Sequence, residues 1–459
     1  MFLIIFSTIL TTISTYSLIK KKYIYVFIPA MLFLPNYYGF EYSNTLPILS
    51  ASRIMIIWFY IYVFINHKRS LCLKKIDIRS VPKPYLLLIG YFSFRVIANI
   101  FYVFAYPEAI KTILSIIFEE IFLLIGLYML ALTKEEVINI IKSIVWCASV
   151  WFIFGIIESL TSVRLFDELF TMSRGLNNIH AYRLGFLRSV TSMGFANIYG
   201  NMCLLIFPLI LYLLKLTQKR IYLICLFLDF LAIIHSGCRS DLIWFFLLSV
   251  MYLLLIFFTH KEDFRRMLTY FITLMVAIIL WTAVAIQIND RLNYYYVGTA
   301  KSVLNVVGFS FDLDADAPEG IKGYGSNPDG VLSRTSQLSG IQYTLSKNPV
   351  FGLGNGFQNR GDIKYYHMGW WKAIHSVDLG IVEIIGAEGL LGLVAFLFIF
   401  GGYLIILLQR TKMNIFPLDS ITSYLLPFTY LLCTLSSANM MTFLLLLTAL
   451  LFYDLKTVF

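Results

Sequence analysis

Five arginines and one histidine carry the chemistry this chain offers. Arg174, Arg183 and Arg188 fall in a polar stretch between two apolar runs, and Arg239 falls in the short turn S-G-C-R-S-D. Arg334 belongs to S-R-T-S-Q-L, and His375 opens H-S-V-D-L-G-I-V-E, directly before another apolar run. Guanidinium presents a planar fork of donors that matches phosphate oxygens, and it stays charged when partly desolvated. Several such groups converging at the mouth of a membrane helix would suit a diphosphate lying at the lipid surface. A histidine there can take or deliver a proton near neutral pH. The plainer alternatives are headgroup contacts or surface ion pairs for the arginines, and an ordinary interfacial position for His375.

The elements that must position these residues are apolar. The chain of 459 residues is 59% hydrophobic and 14% charged, against about 25% charged in a soluble domain. Repeated apolar runs of ~20 residues, each long enough to cross a bilayer, predict an all-α, polytopic helical membrane protein. Spans are expected near 2–19, 23–40, 47–66, 85–105, 110–131, 137–160, 192–214, 220–236, 240–259, 267–287, 377–408, 417–435 and 438–455. That reading gives about 12–13 transmembrane helices with one large extracytoplasmic loop. The first run has no basic region before it and no small-residue site after it, so it reads as a span, not a cleaved leader.

Basic residues cluster in alternate connectors: Lys20–Lys22, then Lys68 to Lys83, then Lys215 to Arg220, Lys261 to Arg266, and Arg410 with Lys412. All lie on one side if the spans alternate, which makes that side cytoplasmic and the C-terminus internal. The net charge of +10 is therefore an orientation signal, and no nucleic-acid partner is implied. The organisation that follows is N-terminal helices over 1–160, a first external loop over 161–191 and central helices over 192–287. A large external loop over 288–375 and C-terminal helices over 376–459 complete it. The flanks of the large loop, N-Y-Y-Y and Y-Y-H-M-G-W-W, suit either the headgroup level or the face of a sugar.

Charges within spans are costly. Arg53, Arg95, Glu119, Glu120 and Asp229 are expected to pair helix to helix, Arg95 with Glu119 or Glu120. Gly380, Gly386, Gly389 and Gly392 would let helices approach closely, and Glu383 or Glu388 would meet an arginine. The run Gly352, Gly354, Gly356 lacks a strand–helix context and a Walker lysine, so it reads as a tight turn and not a nucleotide site. The six cysteines show no paired metal spacing and read as apolar fillers.

Four segments resemble the O-antigen polymerase and O-antigen ligase superfamily of bacterial envelope glycosyltransferases. R-S-V-T-S-M-G-F-A-N-I-Y-G-N (188–201) is similar to the family's arginine-then-Asn-Gly entry into a span. H-S-G-C-R-S-D (235–241) is similar to its Ser-Arg turn, with Cys238 where the family usually has serine. S-R-T-S-Q-L followed by K-N-P-V-F-G-L-G-N-G-F (333–357) resembles part of its external loop. H-S-V-D-L-G-I-V-E-I-I-G-A-E-G-L-L-G-L (375–393) resembles its histidine element and Gly-rich span. The resemblance covers about residues 180–410.

It implies an enzyme of the bacterial cytoplasmic (inner) membrane, its active site facing the periplasm or cell exterior. Such an enzyme moves a glycan from undecaprenyl diphosphate to an acceptor hydroxyl. No cofactor, metal or nucleotide sugar is implied; Asp312, Asp314 and Asp316 alternate, but on the outer side, where sugar nucleotides are absent. The implied partners are undecaprenyl-diphosphate-linked oligosaccharide as donor and acceptor, membrane lipid, and a chain-length regulator protein. In this reading Arg334 and Arg239 stabilise the leaving diphosphate and His375 takes the acceptor's proton, these three being catalytic. Arg188, Arg183 and Arg174 bind substrate. Polymerase is favoured over ligase on span count and the long N-terminal portion. A lipid-linked oligosaccharide flippase or other transporter is the rival class, although no related halves are found.

Overall fold

The computed structural model describes residues 2–35, 37–41, 46–67, 83–130, 132–170, 181–306, 308–313, 315, 317–318, 336–367, 369–375, 377–413 and 420–436. The helices, in chain order, are α1 (Phe2–Ile19), α2 (Tyr23–Phe33), α3 (Ala51–His67), α4 (Lys83–Ile100), α5 (Pro107–Ser115), α6 (Phe122–Leu130), α7 (Lys134–Thr161), α8 (Leu165–Leu169), α9 (Ala196–Thr217), α10 (Ile221–Ser236), α11 (Arg239–Thr259), α12 (Lys261–Ile288), α13 (Asp290–Val306), α14 (Ser339–Lys347), α15 (Phe357–Arg360), α16 (Gly380–Met413) and α17 (Ser420–Ser436). A π-helical turn, Ile116–Ile121, joins α5 to α6. Strands among the described residues form three antiparallel hairpins: β1 (Gly39–Phe40) with β2 (Leu49–Ser50), β3 (Tyr182–Arg183) with β4 (Phe186–Leu187), and β5 (Lys364–His367) with β6 (Trp370–Ala373).

Among the described residues, six helices are long and apolar enough to cross a membrane: α1, α7, α9, α11, α12 and the Gly380–Gly402 part of α16. Shorter apolar stretches occupy α2, α3, α4, α10 and α17. The chain is an all-α, multi-pass membrane protein. The expected second span ends early, at Phe33. Leu34 is extended (φ −82°, ψ 147°) because it precedes Pro35, whose ring disfavours the helical region for the residue before it. The expected last span, 438–455, lies outside the described residues.

The chain divides into two compact units, one of residues 1–140, 330–423 and 433–459, the other of 141–329 and 424–432. In the first, α1, α2 and α3 pack around aromatic rings. Phe27 stacks on Phe59 at 4.4 Å, and Gly126 of α6 leaves room for that ring, since a Cβ there would lie 2.6 Å from it. Helix α4 packs along α16, where Gly90 similarly admits Phe398. Close approach of this kind drives helix association where lipid is as apolar as the side chains.

The second unit is built on α9, whose residues from Tyr199 to Leu214 are all buried. An all-round apolar helix belongs at a bundle's centre. Phe207 of α9 meets Phe245 of α11 at 4.7 Å, and Phe230 of α10 meets Phe245 at 5.4 Å. Helix α13 folds back beside α12, so that Trp281 Nε1 donates to Tyr296 Oη at 2.9 Å.

Candidate functional site

In the second unit, the turn between α10 and α11 gathers arginines. Helix α10 stops because Gly237 takes the left-handed conformation (φ 65°), a cap that favours glycine. Helix α11 begins at once with Arg239. Ahead of α9, the β3–β4 hairpin is sewn onto this turn: Ser189 N donates to His235 O at 2.9 Å. Arg188 Nε then donates to Ser236 O at 2.9 Å and Arg188 Nη2 reaches Cys238 Sγ at 3.1 Å. Arg183 donates to Gly237 O. A Cβ on Gly237 would lie 3.2 Å from Arg188 Cγ and 3.4 Å from Arg183 Cδ, so both side chains lie against a bare backbone.

The carbonyls of Ser236 and Gly237 close the negative end of α10, which draws cations there. They orient guanidinium without neutralising it. Burial, then the charges of Arg188 and Arg239, push the Arg183 guanidinium down to about 9, a group still cationic at neutral pH. Burial, then the nearby Asp241 carboxylate, pushes the Cys238 thiol up. Asp241 is itself buried and accepts from Ser240 Oγ at 3.1 Å. Three arginines and one buried carboxylate at one turn leave a net positive site that suits a doubly charged anion.

A second layer holds the turn. His235 is fully buried, with Nδ1 3.0 Å from Ser159 Oγ and Nε2 3.3 Å from Tyr296 Oη. Tyr295 Oη donates to Ile234 O at 2.7 Å. The tyrosines of N-Y-Y-Y therefore form no exposed aromatic belt: Tyr294, Tyr295 and Tyr296 are all buried. The opposite holds for Y-Y-H-M-G-W-W, whose β5–β6 hairpin leaves Trp370 74% exposed.

In the first unit, His375 sits exposed on a shelf made by α15 and its flanks. Its Nδ1 lies 3.2 Å from Gln358 O. A carbonyl only accepts, so this bond places the proton on Nδ1 and leaves the Nε2 lone pair available to a base's role. Gln358 also fixes the following chain, its Oε1 accepting from Val377 N at 3.0 Å. Gln337 Oε1 accepts from Asp378 N at 2.9 Å, which brings the end of S-R-T-S-Q-L against H-S-V-D. Gly361 lies under the imidazole, where a Cβ would be 2.7 Å from His375 Cε1.

The run Gly352, Gly354, Gly356 is a tight turn with all three at positive φ. It fills a break in α16 at Gly389 (φ 62°, ψ −148°). Leu353 N and Gly354 N donate to Gly386 O and Ala387 O, at 2.8 and 3.1 Å. Leu390 N and Leu391 N donate back to Pro349 O and Val350 O, at 2.9 and 3.2 Å. Arg360 locks this loop, donating to Asp362 Oδ2 at 2.6 Å, Asn355 O at 2.8 Å and Leu353 O at 2.9 Å.

The structure thus brings Arg183, Arg188 and Arg239 together and places His375 in the other unit. Arg174 and Arg334 lie outside the described residues. The expected pairing of intramembrane charges is found for four of five. Arg53 Nε meets Glu119 at 2.6 Å, and Arg95 Nη1 meets Glu120 at 2.6 Å. Glu388 joins Arg95 at 3.2 Å. Asp229 departs from the expectation: it is fully buried, and neither oxygen has a hydrogen-bond partner among the described residues. Its helix turns it toward Cys203 and Cys225, which supply no cation. Sequence reasoning missed Arg360, Gln337, Gln358 and His235. The one available signal was position, since Gln337 lies in S-R-T-S-Q-L and His235 begins H-S-G-C-R-S-D. No family model matches the chain, and no curated protein matches it.

Proposed function

We propose that this chain is a membrane glycosyltransferase that polymerises lipid-diphosphate-linked oligosaccharide repeat units on the outer side of the cytoplasmic membrane. The observation that carries the reading is the convergence of Arg183, Arg188 and Arg239 on the bare turn at Gly237. In this topology twelve or thirteen spans keep the basic connectors inside, and the segment from Asn289 to Ile374 lies outside as a large loop.

The acceptor hydroxyl oxygen attacks the anomeric carbon. The bond from that carbon to the diphosphate oxygen breaks, and its electron pair stays on the lipid diphosphate. Fixed arginines stabilise this growing charge more than the ground state, which is what lowers the barrier. The hydroxyl proton passes to Nε2 of His375, whose tautomer is set by Gln358 O. One displacement inverts the anomeric centre. Arg334 and Arg174 are assigned to the same anion.

A transporter reading draws on the break in α16, because discontinuous helices line transport sites. Here the carbonyls of Gly386 and Ala387 freed by the break are taken by the glycine turn, so they offer no open ion site. The deciding experiment reconstitutes the purified protein in vesicles with the repeat-unit lipid isolated from its host. Growth of a sugar ladder without further acceptor supports polymerase. Transfer only when lipid A core is added makes it a ligase. Translocation of the lipid with no glycosidic bond formed overturns the enzymatic reading.

A further inference from the structure

A cavity of about 380 Å³ opens along one face of α13. Asp290, Asn293, Tyr294, Val297 and Lys301 reach it at steps of three and four, a single stripe of the helix. Leu313 and Pro318 form the opposite wall. The volume falls within the ~300–1,000 Å³ of small-ligand sites.

The lining selects among ligands. A carboxylate on the wall argues against an inorganic anion, and the polar stripe argues against an acyl chain. Asp290 accepts, Lys301 donates, and Asn293 and Tyr294 do both. Val297, Leu313 and Pro318 supply an apolar side. A saccharide has that mixture: hydroxyls that donate and accept, around a ring whose C–H faces are apolar.

Position gives the second argument. The same helix supports the arginine turn from its other residues, through Tyr295 to Ile234 O at 2.7 Å and Tyr296 to His235 at 3.3 Å. Arg291 Nε donates to Gly185 O at 3.0 Å and its guanidinium stacks over Phe186 at 4.7 Å, pinning α13 to the hairpin that carries Arg183. Gly298 tightens the joint, since a Cβ there would lie 3.0 Å from Leu184 Cδ2. The cavity and the arginines are therefore served by one helix, about 10–12 Å thick with its side chains.

We propose that this cavity binds sugar residues of the lipid-linked glycan whose diphosphate is held by Arg183, Arg188 and Arg239. The statement rests on the proposed function of that arginine turn. The test uses the full-length protein in nanodiscs and two probes: undecaprenyl diphosphate, and the same lipid carrying the host's repeat unit. Wild type is expected to bind the glycosylated probe at least tenfold tighter than the bare one. Val297→Trp, which fills the cavity, and Asn293→Leu, an exposed position, should each erase that preference while bare-lipid binding persists, which also shows the variants are folded. Variants that keep the full preference would overturn the sugar site and leave the arginine reading standing. If wild type binds neither probe, the arginine reading fails and the cavity assignment goes with it.

Discussion

Two clusters of arginine, one in each unit, are held by different partners. In the first, Arg53 is answered by Glu119, and Arg95 by Glu120 and Glu388, with Asn99 and Tyr91 completing the shell at 3.1 and 2.7 Å. The π-turn Ile116–Ile121 carries both Glu119 and Glu120, so one irregular turn supplies two partners. In the second, Arg183 and Arg188 lie on carbonyls of a helix end, beside Arg239. Acids hold Arg53 and Arg95 between helices, whereas the carbonyls of a helix end orient Arg183 and Arg188. The type of residue is the same in both places, and the partner decides its role.

The largest expected effect separates these roles. Arg188→Ala and Arg239→Ala should each lower glycan transfer by on the order of 10²-fold or more, the scale of losing one group that stabilises a developing anion. Both proteins should remain in the membrane at wild-type amounts. Disappearance of the protein instead would move these arginines into the structural class. Arg95→Met should do the reverse. It strands Glu388, only 7% exposed, and Glu120, 13% exposed, at a cost of about 3–5 kcal/mol. Unfolding in mixed micelles reads that cost directly, and an unchanged midpoint would mean that the network is not structural.

Much of the fold was legible in the sequence. Apolar runs gave the helices because a bilayer allows few other backbones. That Arg53 and Arg95 would pair, Arg95 with Glu119 or Glu120, followed from the expense of unpaired charge in lipid; which glutamate Arg53 takes did not. The boundary at Phe33 was misjudged because the effect of Pro35 is local and an apolar run hides it. The site was legible in part. Arg183, Arg188 and Arg239 stood out as outer arginines, but nothing in their spacing said that Gly237 would be the surface they share. That depends on a hairpin returning to a helix end, a contact between residues about fifty apart. The tyrosine-rich flank of the loop misled for the same reason. Composition cannot tell a ring that packs on His235 from one that meets solvent, as Tyr295 and Trp370 respectively do.

A smaller effect tests the histidine shelf. Gly361 has φ 66° and lies against His375. Gly361→Ala adds a methyl group that the imidazole must yield to, and it also strains a left-handed residue. Displacement by about an ångström costs up to roughly 10²-fold in rate, so kcat should fall while KM for the lipid donor holds. An equal change in both would say that Gly361 supports binding and not the proton transfer. Gly361→Asn, better tolerated at positive φ but still bulky beside the ring, should behave like alanine if the contact matters more than the strain.

The smallest effect sharpens the comparison from the side of charge. Arg183 is held down to about 9 by burial, then by Arg188 and Arg239. Its folded value lies below its ordinary one, so between them the unfolded chain binds more protons than the folded chain. Arg183 therefore adds a term that makes stability rise with pH in that window. Affinity for a diphosphate should move the other way, falling several-fold as pH climbs through about 9 and the cation is lost. The two opposite slopes are the signature of a cation kept without an acid partner. They are best read as the difference between wild type and Arg183→Met, in which other groups titrate alike. Equal slopes with and without Arg183 would mean that its charge is already balanced in the folded protein.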